Sequence, residues 1–355
     1  MIPCLGWRMR HSFVSLFMLC LLAVLSCSNG EQDGMIIEPV VKQDTIIVDK
    51  KDTLSVDGDT IVVDKKDTII IEKDFIVLKE DNSLDFHIER VEYWMKQPRG
   101  MRGKQGADAY NGLLFQFQVG HSFLDILDVK SKEIITTVEM DYDSNYHCNN
   151  ADFGNTFYDA DDEIPLFYSS QQGRYAQCIV VDRITKQNGN YKLQTVQRID
   201  LPREKEIPLQ YTPDAVIDKK NGFIYVYAGN TIPITDFYIY KFRLPEIVEG
   251  EVVQLRREEI ISKWMISGNP AFYKQGGAII GHFLITLEGM SNNKIRVIDL
   301  ENNRYKLIDM TADYGAKWEP EDIFIVDGEI FVASGGTGIY KIVLSDNKVI
   351  DGGAE

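Results

Sequence analysis

Residues 105–117 read QGADAYNGLLFQF and residues 275–287 read QGGAIIGHFLITL. The two phrases align without a gap: Gln105 over Gln275, Gly106 over Gly276, a turn at Asn111-Gly112 over Gly281-His282, then an apolar run. One phrase written twice, far apart in the chain, is the mark of a structural unit that recurs. Between and around the copies the chain reads as short apolar strands broken by turns, with almost no helical periodicity. LLFQFQ, FLDILDV and EIITTVEM follow the first copy, and FLITLEG, KIRVIDL and RYKLIDM follow the second. Asn111-Gly112, Asn188-Gly189, Asn221-Gly222 and Asp327-Gly328 supply hairpin turns.

Three more sets of strands open on related small, polar phrases, giving KQGADA, HCNNAD, TPDAV, KQGGAI and EPEDIF in all. Five such phrases, roughly fifty residues apart, predict an all-β fold of four-stranded units: a β-propeller of five blades, with six as the alternative. The phrase would be each blade's innermost strand, where small residues fit around a crowded axis. A β-sandwich of this length would not repeat by sets of strands. The last set lacks a convincing outer strand, because SDNKVIDGGAE is short and polar, whereas FHIERVEYWM precedes the first phrase with no set of its own. That segment is expected to close the ring as the outermost strand of the last blade, removing an open edge. Cys148 then lies on the first strand of the second blade and Cys178 on its third. At ~4.8 Å per strand step their Cα atoms stand about 10 Å apart, too far for a disulfide, so two buried free thiols are expected.

The propeller accounts for 85–355 of the 355 residues. Ahead of it, Arg8 and Arg10 precede the apolar run SFVSLFMLCLLAVL, which is short for a membrane span and has the flanks of a cleaved signal. Val24–Cys27 read VLSC, which resembles a bacterial lipobox. That resemblance implies a signal peptide over 1–26 and a lipid-modified Cys27 tethering the protein to a membrane. Residues 27–84 read as a stalk: DTIIVDKKDTLSVDG is followed directly by DTIVVDKKDTIIIEK, a tract with no aromatic residue and too little bulk for a core. A β-ribbon adding to a partner's strand edge is the alternative use of such a segment.

The acidic balance, 54 Asp and Glu against 38 Lys and Arg for a net charge of −16, speaks against nucleic acid as a partner. HExxH, Cys-x-x-Cys, P-loop and Gly-x-Ser-x-Gly patterns are absent from the sequence. Polar residues gather instead at the inner-strand phrases: Gln105, His147, Asn149, Asn150, Asp152, Asp214, Gln275, Glu319 and Glu321. Convergent polar groups at a concave opening are the usual ligand site, although channel residues also serve to hold water and neighbouring strands. Glu319 and Glu321, two apart on a strand, would share a face and point together into the channel. With His147 and Asp214 they are the groups an enzyme acting on polysaccharide would use as acid and base. Tyr110, Tyr146, Tyr211, Trp264 and Trp318 could stack on a sugar or fill the spaces between blades.

Asp141, Asp143, His147, Asn149 and Asp152 offer oxygen-rich surroundings of the kind calcium takes. Their spacing fits no EF-hand loop, and the histidines fall at no zinc spacing, so no cofactor is assigned. The DADDE run, Asp159 to Glu163, reads as a solvated hairpin tip.

HCNNADFGN, IPLFYSS and QCIVVDRI together resemble a pattern in uncharacterised β-propeller lipoproteins of Bacteroidota, with the emphasis on His147 and Asn149. The resemblance implies a propeller on a lipid-anchored stalk, in the outer membrane or at the cell surface, with no activity to carry over. The expected function is therefore a displayed binding or scaffolding propeller, its ligand a glycan, a small molecule or a protein. A polysaccharide hydrolase or lyase is the alternative.

Overall fold

A computed structural model describes the hairpin strands at 53–56 and 59–62 and residues 75–345, apart from 97–103, 141–147, 172–177, 203–206 and a few shorter connecting positions. The hairpin pairs β1 (Thr53–Val56) with β2 (Asp59–Val62) in antiparallel register.

Five sheets, each built on four antiparallel strands, follow around one axis, a five-bladed β-propeller. Blade 1 holds β6 (Lys104–Tyr110), β7 (Leu113–Gln118), β8 (Phe123–Asp128) and β9 (Ile134–Glu139). Blade 2 holds β10 (Cys148–Phe153), β11 (Phe167–Gln171), β12 (Cys178–Gln187) and β13 (Asn190–Asp200). Blade 3 comprises β14 (Gln210–Asp218), β15 (Phe223–Gly229), β16 (Phe237–Arg243) and β18 (Ser262–Ile266). Blade 4 comprises β19 (Tyr273–Ile280), β20 (Phe283–Gly289), β21 (Lys294–Asp299) and β22 (Arg304–Asp309). Blade 5 is built from β23 (Pro320–Val326), β24 (Glu329–Ser334), β25 (Gly338–Leu344) and β5 (Ile88–Lys96). The five phrases are the five inner strands, and FHIERVEYWM closes the ring through β5 paired antiparallel to β25. Asn111-Gly112, Asn188-Gly189 and Asp327-Gly328 each place both residues at positive φ, the turn that matches strand twist.

The rim departs from the expected boundary at residue 85. β3 (Ile76–Val77) adds in parallel to the outer edge of blade 3, and β4 (Lys79–Glu80) does the same on blade 4. Leu78 between them is buried with Trp264 and Tyr305, and Leu84 and Phe86 are buried in the core shared by blades 4 and 5. The body therefore begins by Phe75, and its first dozen residues form a strap across three blades. The polar, β-branched run looked like more stalk because two-residue edge strands leave almost no alternation to read. Blade 2 gains a similar fifth strand, β17 (Val252–Gln254), from the excursion between β16 and β18. The cores lie between blades and are rich in aromatic pairs such as Phe117 on Phe167, stacked at 5.6 Å.

Cys148 and Cys178 are buried free thiols. Gln171 pairs with both across β11, which puts the expected two strand steps between them. Among the described residues no helix is long and apolar enough to cross a membrane.

Candidate functional site at one end of the axis

All five inner strands start at the same end of the propeller, and every one carries a bulge near its start. The register against the second strand slips between Lys104 and Ala107, Cys148 and Asn150, Gln210 and Asp214, Lys274 and Gly277, and Pro320 and Asp322. A bulge adds a residue on one strand and re-aims its side chain. Aligning the strands on these bulges places Gln105, Asn149, Pro213, Gln275 and Glu321 in equivalent positions, followed by Gly106, Asn150, Asp214, Gly276 and Asp322.

The second of these rings explains why the phrase repeats. Asn150, Asp214 and Asp322 are at most 1 % exposed and fill the axis, while Gly106 and Gly276 leave the room they occupy. A Cβ on Gly276 would stand 2.1 Å from Asp322 Oδ1 and 2.5 Å from the Asn149 carbonyl oxygen. One on Gly106 would meet the Cys148 carbonyl oxygen at 2.7 Å. The axis at this level is thus packed with side chains rather than lined as a wet channel.

These buried polar groups clamp neighbouring inner strands, whose axis-facing N–H groups have no further strand to pair with. Asp322 Oδ2 accepts from Ala107 N at 2.8 Å and Ala151 N at 3.1 Å. Asp108 Oδ2 accepts from Phe153 N at 2.8 Å, and Asp152 Oδ2 from Ile217 N at 3.1 Å. Asn150 donates to the Ala215 carbonyl at 2.9 Å and accepts from Gly277 N at 2.5 Å. Blades 3 and 4 are joined by a buried ion pair between Lys274 and Asp214. Burial holds these carboxyls above the usual range. Asp108 rises to about 6 against the pull of Lys219. Asp152 and Asp322 are pushed well up by burial, with a further push from Asp108 and Asp152 respectively. Asp214 is raised less decisively, because the Lys274 ammonium opposes its burial.

The first ring forms the floor of the axial mouth. Gln105, Asn149, Gln275 and Glu321 are each less than a tenth exposed. Glu319 stands exposed just ahead of β23 and accepts from Gln275 Nε2 at 3.4 Å. Burial, then the nearby Glu319 charge, pushes Glu321 up to about 8, with the Gln105 side chain drawing it back. The two glutamines of the repeated phrase thus flank blade 5's glutamate pair from blades 1 and 4. The two carboxyls expected to share a face lie near one another but differ in burial. A bulge lies at Glu321, whose carboxyl is buried, while that of Glu319 stands in solvent.

Of the residues singled out in sequence, Gln105, Gln275, Glu319 and Glu321 are brought together at the mouth, while the Asn149 side chain bonds the buried Asp214. Asp214 and Asp152 are committed to strand clamps. His147, Asp141, Asp143, Tyr146 and Cys27 lie outside the described residues, as does the Tyr211 side chain. Trp264 is core, Trp318 stacks on Tyr340 at 4.1 Å, and Tyr110 packs on Phe153 at 5.6 Å. Sequence reasoning missed Asp108, Asp322 and Lys274. The Ala-Asp pair shared by ADA and NAD was the available signal for Asp108. Among the described residues no group of three or more His, Cys, Asp or Glu side chains is placed to hold a metal.

No protein-family model and no curated protein sequence matches the chain. Solved structures similar to it include a glutaminyl cyclase from Myxococcus xanthus, at 12 % identity and TM-score 0.44, covering 74 % of this chain and 97 % of that one. A PQQ-bound aldose sugar dehydrogenase from Streptomyces coelicolor matches at 9 % identity and TM-score 0.45, covering 75 % of this chain and 100 % of its own. A protein of unknown function from Bacteroides thetaiotaomicron matches at 13 % identity and TM-score 0.41, covering 82 % of this chain and 81 % of that one. At these identities and scores no functional statement rests on them.

Proposed function

We propose that this protein is a membrane-anchored, extracytoplasmic binding propeller, tethered through Cys27 at the outer membrane or cell surface, that takes a small polar ligand such as a glycan end at the axial mouth. One observation carries the reading. The bulge position that five blades share bears an amide or carboxyl in four of them, Gln105, Asn149, Gln275 and Glu321, at the end of the axis where the inner strands start. With Glu321 protonated, this floor offers a mixed set of donors and acceptors with little net charge, suited to hydroxyl groups. The net charge of −16 keeps nucleic acid out of the reading.

A hydrolytic alternative draws on the same glutamates, since a buried carboxyl with a raised pKa beside a solvent-exposed one is a usual division of acid–base labour. Against it, Glu321 is only 6 % exposed and Asp214 wholly buried. The test is a glycan array with thermal-shift follow-up on the full chain, with and without calcium. Expected is a saturable hit lost in Glu319→Ala or Gln105→Ala, in variants that keep the wild-type circular dichroism. A hit that neither change affects, or none at all, removes the mouth as the site. Release of reducing ends from the bound glycan, lost in Glu321→Gln, would turn the reading to catalysis.

A further inference from the structure

The end of the propeller opposite the mouth carries an open cleft. The loop after β10 (residues 154–166), Gly222 in the β14–β15 turn, and the chain leaving β16 all lie at that end, because strands one and three of a blade run the same way. Between blades 2 and 3 they border a cleft of about 600 Å³ lined by Asn155, Thr156, Phe157, Tyr158, Asp159, Tyr168, Gly222 and Leu244–Ile247. That is within the ~300–1,000 Å³ usual for ligand clefts.

Three features give the cavity a ligand class. The first is aromatic surface left uncovered. Phe157 is 41 % exposed although its loop is otherwise tightly held. Arg183 ties that loop down through ion pairs to Asp159 at 2.5 Å and Asp162 at 2.7 Å, and lies over the Tyr158 ring at 4.6 Å. Asp162 is thus a buried anchor rather than part of a solvated tip. Asn155 Nδ2 fixes the loop's other end to the Lys219 carbonyl at 2.6 Å.

The second feature is an unmet donor. Tyr168 is 2 % exposed, lines the cavity, and among the described residues its hydroxyl has no hydrogen-bond partner. Its ring is seated against Gly154, where a Cβ would come within 2.8 Å of it. The Tyr168 hydroxyl is not itself buried, so it reaches the cavity and is open to a ligand's own hydroxyl groups. The third feature is charge: the charged side chains in the lining, Asp159 and Glu246, are both acidic. Asp159 is paired with Arg183, Glu246 stands exposed, and the described lining residues offer no cation to a phosphorylated or carboxylated ligand, while a wholly apolar ligand would strand the polar wall.

We propose that this cavity is a saccharide site, taking a neutral pyranose against Phe157 with its hydroxyls met by Tyr168 and Glu246. A pyranose has an apolar C–H face for the ring and hydroxyls at its edge, the two chemistries the cavity presents together. The site is separate from the axial mouth and stands or falls independently of it.

The experiment titrates the full chain with a panel of neutral di- and trisaccharides and a matched uronic-acid set, read by saturation-transfer NMR and calorimetry. A neutral member is expected to bind. Phe157→Ala should weaken it at least tenfold and Tyr168→Phe several-fold, both with an unchanged melting temperature, while Glu319→Ala leaves it alone. No neutral binder, preference for the uronic acids, or indifference to both cavity changes would overturn the proposal. Loss in Glu319→Ala alone would move the sugar to the axial mouth, sinking this site while supporting the other.

Discussion

Asp322 Oδ2 on the last inner strand accepts the backbone N–H of Ala107 on the first at 2.8 Å, so the closure of the ring at its axis passes through one carboxyl. The same oxygen takes Ala151 N at 3.1 Å, and Oδ1 takes its neighbour Ile323 N at 2.8 Å. Removing the acceptor leaves buried donors with no route to water. Each such donor costs about 1–3 kcal/mol. Asp322→Ala should therefore lower the unfolding free energy by about 3 kcal/mol or more in urea titrations. Asp322→Asn, which keeps one oxygen, should cost less. Equal stability of Asp322→Ala and wild type would show that the clamp contributes nothing.

Lys274 and Asp214 form the one ion pair among these clamps, with side chains 5 % and 0 % exposed. Breaking a buried pair from one side strands the other charge, at about 3–5 kcal/mol. Lys274→Met alone should be that damaging, and adding Asp214→Asn should recover much of the loss. A coupling of about 2 kcal/mol or more in the double-mutant cycle is expected. Additive effects would mean that the two residues act separately.

The ring, its closure and the thiol separation were legible in the sequence because each depends on pattern. Phrases such as KQGADA and KQGGAI recur, Asn-Gly turns force hairpins, and a strand without a set must pair somewhere. The mouth was legible only as a group of polar residues. What separates Glu321 from Glu319, or Asp214 from Gln275, is the bulge, and a one-residue slip in register leaves no trace in composition. Lys274 escaped notice because a lysine opening a strand ordinarily faces solvent. It became a clamp through the placement of Asp214 on the neighbouring blade, which only the fold supplies. Tyr168 and Phe157 were missed for a similar reason: they read as strand and loop until two blades enclose the space between them.

Glu321 makes stability depend on pH. Its folded pKa of about 8 lies above the ordinary 4.5, so the folded state binds the extra proton between those values. Stability from this group is therefore complete below about pH 4.5 and is lost as pH rises through about 8. Between pH 6 and pH 8 the expected loss is about 2 kcal/mol. Glu321→Gln should flatten the stability–pH curve by that amount over this window in denaturant titrations. A curve unchanged by the substitution would place the proton elsewhere, Asp152 and Asp322 being the neighbouring buried carboxyls.

Cys148 should resist modification in the folded protein. Burial, reinforced by the charges of Asp322, Asp214 and Asp182, holds its thiol well above the usual range, so the reactive thiolate is scarce. Iodoacetamide footprinting of the full chain should label the Cys148 and Cys178 peptides only after denaturant is added, and a reducing agent should leave the melting temperature unchanged. A melting temperature that falls on reduction would point to a disulfide that the strand spacing does not allow.

The strap gives the sharpest test of where the propeller begins. Leu78 is 4 % exposed and Leu84 0 %, and both lie ahead of the boundary expected at residue 85. β3 and β4 also cover the outer edges of blades 3 and 4, and Arg304 binds the strap through Asp81 at 2.8 Å. Burying a leucine contributes about 1.5–3 kcal/mol, so removing both should cost several kcal/mol before the edge pairing is counted. A chain starting at Phe75 should melt with the full-length protein, whereas one starting at Asp85 should melt roughly 10 °C lower. Leu78→Ala in the full chain, at about 2–5 kcal/mol, checks the same contact without truncation. If the chain from Asp85 melted with the longer ones and Leu78→Ala were silent, the strap would be an ornament on a ring that closes through β5 alone. If both lose stability, the segment that read as the end of a stalk is what binds blades 3, 4 and 5 together at the rim, as Asp322 binds blades 5, 1 and 2 at the axis.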